Sequence, residues 1–464
     1  MKKPLLSLAV ATSLTFGALT VPAYAKPIET VPAYEKFQNV LDQKVIDRIN
    51  VENIYNNIDY LAQQPRVAGT EDEHKAAQFI KEQFQSYGYK AQLEEFKYVG
   101  YTPASKVELA VDGFNLKPTS FTYSVSGNVT GEVEYAGLGT KDELANKNLT
   151  GKIALIQRGA IPFGEKVLNA AEKGATAVII YNNADGTLNG TLGGANNKYV
   201  PAVSLSKSEG EALLNSLKNG TSLQATVNIE GAEVSERTSY NVTATKAPNN
   251  KKKATNDIVV VGAHYDSVPG SPGANDDASG TAMTLELARV FKDLPTDTEL
   301  RFVTFGAEEI GLLGSRAYVK NLTEDEIDRT VAMFNLDMVG SRDAGNLVLR
   351  TVDGKPNLVT ELSQASSTRL NGSPTPYGQG GSSDHVPFGE VGIPAALFIH
   401  SPAEPWYHTP EDSIDKISKE KLQDVAEIVG TAVYDRVRPD HQGPKPTKGK
   451  KQATPHLYHE QEIQ

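Results

Sequence analysis

The run Ile258-Val259-Val260-Val261-Gly262-Ala263-His264-Tyr265-Asp266 decides how the rest of the chain reads. Apolar residues without alternation describe a strand buried on both faces, the habit of a parallel sheet covered by helices. An imidazole closes that strand and a carboxylate follows two residues later. Open α/β sheets bind ligands in the crevice at the carboxyl ends of their strands, so His264 marks an edge where distant residues converge.

Three further strands end the same way. Leu300-Arg301-Phe302-Val303-Thr304-Phe305 runs up to Glu308 and Glu309, and Val331-Ala332-Met333-Phe334-Asn335-Leu336 ends at Asp337. Ala395-Ala396-Leu397-Phe398-Ile399 leads toward His408. After Asp266 a loop rich in Gly, Pro and Ser can turn tightly enough to bring Asp276 back beside His264. Asp277 is then placed to cap a helix whose buried face is Met283, Leu287, Val290 and Leu294. Two imidazoles and three carboxylates, with one more carboxylate to act as a base, suit a paired zinc site that hydrolyses amides.

Taken singly these residues say less. An Asp in a Gly-rich loop is usually a turn residue, and an adjacent acidic pair is usually solvated. Asp337 is harder to dismiss, because a carboxylate among apolar residues needs a partner or a metal. Asp266 can accept the free imidazole N–H of His264 and orient the ring. Side chains of the neighbours Glu308 and Glu309 point apart, so one can ligate while the other faces the substrate. The Tyr407 phenol beside His408 could donate to a developing oxyanion. Ser383-Asp384-His385 is no serine-type triad, since three contiguous residues cannot form that geometry; His385 reads as supporting or structural.

At 464 residues about two domains are expected, and a hydrophobic fraction of 39% is enough for ordinary cores. There is no cysteine, so the fold rests on core burial, helped by metal, and not on disulfides. A net charge of -11 speaks against nucleic acid as a partner. Lys2 and Lys3, an apolar run and Ala23-Tyr24-Ala25 make a secretory signal peptide over residues 1–25, and hence a secreted protein. No later run is long enough to span a bilayer, so no membrane association is expected after cleavage.

Residues 45–64 read as a helix, Arg66-Val67-Ala68-Gly69-Thr70 as a loop, 71–87 as a second helix and 89–98 as a strand. Residues 121–234 have a different texture and hold none of the candidate ligands. They read as a smaller α/β module inserted into a discontinuous domain of residues 44–120 and 235–436. That domain alternates strand and helix, which argues a mostly parallel central sheet flanked by helices. In residues 437–464 Pro and Lys become frequent and apolar periodicity stops, so a disordered tail is expected, with His441, His456 and His459 solvated.

The stretch from His264 to His408 resembles the zinc aminopeptidases of the M28 family. The family pattern of H-x-D, N-D-x-x-S-G, E-E-x-G, D-M-x-G and Y-H-x-x-x-D is present here in order and with similar spacing. The block at Arg66 and Asp384-His385-Val386-Pro387-Phe388 match further family segments. The inserted module resembles a protease-associated domain through Gln157-Arg158-Gly159, Phe163, Lys166 and the strand near Ala177. The resemblance implies two zinc ions, with manganese or cobalt as substitutes, and Asp276 bridging them. It implies that His264 and Asp337 complete one site and Glu309 and His408 the other. It further implies Glu308 as general base and acid, acting on a water held between the metals, with Tyr407 as oxyanion donor. Asp277 stands where many relatives have Asn. The expected protein is a monomeric, exported aminopeptidase for peptides with a free N-terminus. Rival readings are a carboxypeptidase or glutaminyl cyclase on the same scaffold, or a non-catalytic binding protein, which should have lost ligands or base.

Overall fold

In a computed structural model, residues 33–439 and 441 are described. The expected leader over residues 1–25 and the tail residues His456 and His459 lie outside the described residues.

The larger sheet has eight strands, numbered here among themselves: β1 (Ala91–Thr102), β2 (Glu233–Lys246), β3 (Ile258–His264), β4 (Glu299–Phe305), β5 (Thr330–Leu336), β6 (Asn346–Thr351), β7 (Tyr377–Gln379) and β8 (Ala395–Ser401). Their spatial order is β1-β2-β4-β3-β5-β8-β6-β7. The centre, β4-β3-β5-β8, is parallel, while β1, β2 and β6 add antiparallel pairings toward the edges. Every residue of β3 and β5 is buried, as their mostly apolar sequences require, and the polar Asn335 within β5 donates to Ser383 Oγ at 2.7 Å.

Alternate residues serve opposite faces. Val259 and Val261 enter the main core with helices α1 (Ala33–Ile46), α2 (Val51–Leu61), α3 (Glu71–Ser86), α4 (Gly280–Phe291), α5 (Leu358–Asn371) and α6 (Lys419–Val437). Ile258 and Val260 pack on the other side with Phe305, Tyr318 and Phe388. α4 begins where Asp277 accepts the Gly280 N–H at 2.8 Å, as its place in the sequence suggests. Gly280 is needed there, because a Cβ would lie 2.1 Å from the Leu336 carbonyl oxygen.

Several boundaries differ from the sequence reading. The expected helix 45–64 is two helices, because Asn50 takes an extended backbone and caps α2 by accepting the Glu52 N–H. The domain starts before residue 44: Leu41 and Asp42 are buried, and Arg369 pairs with Asp42 at 2.7 Å. The module's sheet takes in Lys106–Val111 and Phe114–Asn115, ahead of the expected start at 121, because Lys106–Val111 pairs with Gln224–Glu230. Those strands close a separate eight-stranded sheet with cores of its own around Ile179 and Ile180. β1 and β2 run antiparallel from Ala91↔Ala244 to Thr102↔Glu233, so the module hangs on the outer end of one ribbon. His441 is not solvated: its side chain is 20% exposed and Nδ1 lies 3.8 Å from Asp297.

Candidate active site

Beyond the carboxyl ends of β3, β4, β5 and β8 lies a cleft of about 450 Å³ lined by His264, Asp276, Glu308, Glu309, Asp337, Tyr407 and His408. All five expected ligands and two of the three expected catalytic residues therefore meet in one place. His264 Nε2 is 3.1 Å from Asp276 Oδ1 and 3.6 Å from Asp337 Oδ1. His408 Nε2 is 3.2 Å from Asp276 Oδ2 and 3.1 Å from Glu309 Oε2. Asp276 thus offers one oxygen to each imidazole. Glu308 turns the other way from Glu309, with Oε2 3.9 Å from His264 Nε2.

The third residue, Asp266, stands behind the cleft. Its Oδ1 lies 3.5 Å from His264 Nδ1, at the long limit of a hydrogen bond. Both carboxylate oxygens are engaged elsewhere, accepting the backbone N–H of Glu308 at 3.0 Å and of Glu309 at 3.2 Å. Asp266 therefore fixes the acidic turn at least as directly as it orients the imidazole.

Supporting residues outnumber what the sequence pattern marked. Asp412 accepts the N–H groups of Asn275 and Asp276 at 2.8 and 3.0 Å, and Glu404 accepts from the Asn275 side chain at 2.7 Å. Ser383 donates to Asp337 Oδ2 at 2.7 Å. That bond takes the hydroxyl away from His385, whose two ring nitrogens have no hydrogen-bond partner, so no triad exists. Burial lowers the His385 pKa to about 3 and keeps the ring neutral. Arg66, fully buried, donates to the carbonyls of Leu61, Tyr265, Pro272 and Gly273 and ties the loop before Asp276 to the residue after His264. Arg66, Asn275 and Asp412 had a signal in sequence as members of quoted blocks, and Ser383 was marked only within the run Ser383-Asp384-His385, whereas Glu404 had none.

The donor set fits divalent metal. Two groups of side chains, His264 with Asp276 and Glu309, and His264 with Glu308 and Asp337, place candidate ligand atoms within 4.8 Å of one another. Glu309 Oε1 and Asp337 Oδ1 are buried with no hydrogen-bond partner. Burial, then neighbouring carboxylates, push Glu308 well above the ordinary range, and burial with Asp276 pushes Glu309 to about 7. Such a cluster can ionise together only around positive charge, and imidazole with carboxylate is a zinc-type set. The opposite wall is apolar, formed by Met338, Val352, Val386, Leu397 and Ile399. A larger hollow of about 690 Å³ beside Lys246 and Lys292 lies at the other end of β2 and β4 and gathers no comparable ligands.

The comparisons agree with this geometry. The profile of Peptidase family M28 matches residues 241–433, and that of the PA domain matches residues 125–213. Aminopeptidase YwaD of Bacillus subtilis is 39% identical over 460 residues, covering 97% of each chain. Leucine aminopeptidase 2 of Trichophyton equinum is 32% identical over 353 residues, 75% of this chain and 69% of that protein. The solved aminopeptidase from Aneurinibacillus sp. strain AM-1 superposes with a TM-score of 0.78 at 56% identity, over 88% of this chain and 98% of its own. A zinc aminopeptidase from Bacillus subtilis gives a TM-score of 0.67 at 39% identity, over 84% of this chain and 96% of that one.

Proposed function

Because the chain belongs to peptidase family M28 and carries an inserted PA domain, we propose that its cleft removes N-terminal residues from peptides by zinc-dependent hydrolysis. The observation that carries this reading is Asp276, poised between His264 and His408 at 3.1 and 3.2 Å with a full set of ligands on either side. A binding protein on this scaffold would not need to retain every ligand and the base. His264, Asp276 and Asp337 would hold one zinc ion, and Asp276, Glu309 and His408 a second. Bound zinc supplies the Lewis acidity that polarises a scissile carbonyl and acidifies water.

The remaining steps belong to the chain. Glu308, held at the cleft wall by its backbone bond to Asp266, takes a proton from the attacking water and returns it to the leaving amine. Tyr407, stacked on His408 with ring centroids 3.7 Å apart, faces the cleft and donates to the oxyanion. Burial and then the surrounding carboxylates raise the pKa of its phenol, which keeps the donor proton in place. The acidic floor receives the substrate's α-ammonium. Among the described residues lining the cleft there is no Arg or Lys, which a carboxypeptidase would need for a terminal carboxylate. The leader over residues 1–25 supports export, and among the described residues no helix is long and apolar enough to cross a membrane.

The test uses two versions of one peptide. With a free amine and an amidated C-terminus it is expected to lose its first residue; N-acetylated with a free carboxylate it is expected to be spared. A chelator should abolish turnover and zinc restore it. Cleavage of the acetylated peptide from its C-terminus would replace the reading with a carboxypeptidase. Elemental analysis is expected to give two ions per chain, with Asp276→Ala losing more metal than His264→Ala.

A further inference from the structure

The turn that carries Glu308 does not hold its shape by itself. Ala307 sits at φ +53, a left-handed conformation that strains an alanine and persists only where the surroundings impose it. Three of the four backbone amides of this turn are captured by side chains from elsewhere. Gly306 N–H reaches Asn241 Oδ1 at 3.4 Å, and Glu308 and Glu309 N–H reach Asp266 at 3.0 and 3.2 Å.

Glu73 is the unexpected member. It stands in the first turn of α3, where Glu71 and Asp72 face solvent, yet it is 1% exposed. A buried carboxyl is tolerated when donors take its lone pairs. Here Oε2 accepts the Gly69 N–H at 2.6 Å and Oε1 the Ser239 hydroxyl at 2.5 Å. The turn rests directly on this cluster: a Cβ on Gly306 would lie 2.3 Å from Ser239 Oγ and 2.8 Å from Glu73 Oε1. Glu73 does not line the cleft and touches no expected ligand.

We propose that Glu73 is a positioning residue for Glu308, holding the turn of residues 306–309 from beneath while Asp266 holds it from the side. This rests on the reading of Glu308 as the proton carrier. Two donors converge on Glu73, from a loop and from a strand, and Gly306 of the turn lies directly against its Oε1. A glutamine can accept through only one oxygen and would present its own N–H groups to one of them. Glu73→Gln therefore frees the turn without adding bulk.

The experiment compares wild type, Glu73→Gln and Ser239→Ala with zinc content measured on each. Glu73→Gln is expected to lower kcat by about 10- to 100-fold, the scale of a small misplacement of a catalytic group, with KM within about threefold and zinc content unchanged. Amide hydrogen exchange should speed up in a peptide spanning 305–312 and stay unchanged in one spanning 276–286. Ser239→Ala removes one donor and should move kcat in the same direction by less; it decides the matter if Glu73→Gln does not fold. A folded Glu73→Gln with wild-type kcat, or one that loses zinc in step with kcat, overturns the proposal, as does wild-type kcat in Ser239→Ala when Glu73→Gln does not fold. Absence of peptidase activity in wild type would instead overturn the proposed function, a separate outcome.

Discussion

Glu308 and Glu309 are adjacent in sequence and opposed in space, one toward His264 and the other 3.1 Å from His408. Glu308→Gln keeps size and polarity but cannot accept a proton, so kcat should fall by roughly 10² to 10⁴ while zinc content stays near wild type. Loss of zinc from Glu308→Gln but not from Glu309→Gln would exchange their roles. His400 invites a different measurement. Buried in β8, it is held near pKa 4 by burial and the Lys421 charge. An unfolded chain protonates this ring below about pH 6.5 while the folded one does not, so stability falls as pH drops from 6.5 toward 4, by about 1.4 kcal/mol per unit. Thermal melts at pH 6.5 and 5 should show a smaller acid loss in His400→Gln than in wild type; parallel losses would remove the assignment. Strand-end chemistry made His264 and Asp337 legible in sequence, because an imidazole or carboxylate closing a buried strand has few structural uses, whereas Glu309 stood out only through the company of the other blocks. Glu73 was not legible, since an acid in a helix's first turn ordinarily serves the helix dipole in solvent.

At the level of elements, the parallel centre of the sheet could be read because β3 and β5 bury every residue and so are apolar over most of their length. β6, toward the edge, buries only half of its residues and β7, at the edge, buries none, so neither leaves such a trace. The break between α1 and α2 was hidden because apolar spacing continues through it while Asn50 diverts the backbone. The loop from 66 to 70 connects these elements to the site through one side chain. Arg66→Met keeps much of the stem but strips the donors from four carbonyl oxygens, an expected loss of about 3 to 5 kcal/mol. Two of those carbonyls belong to Tyr265 and Gly273, so zinc affinity should fall as well. Denaturation with and without chelator measures both, and a variant within about 1 kcal/mol of wild type would show the cluster to be dispensable.

For the whole molecule, the inserted module contributes no side chain to the cleft lining. The strand Lys106–Val111 falls outside the range of 121–234 read for the module in sequence because its partner lies at Gln224–Glu230, more than a hundred residues later, a pairing that local pattern cannot announce. Replacing residues 103–232 by a two-residue turn is expected to leave hydrolysis of a small chromogenic amide and zinc binding within about threefold of wild type, as befits distant independent units, while changing rates on longer peptides. A folded variant without small-substrate turnover would contradict this. The ribbon that bears the module has a consequence of another kind. Thr102 and Glu233 face each other across it, so to the catalytic sheet the entire module occupies the place of a hairpin loop. Ancestral chains could gain, shed or exchange such a passenger in a single recombination event without rethreading a strand, and engineers can graft a foreign domain at the same joint.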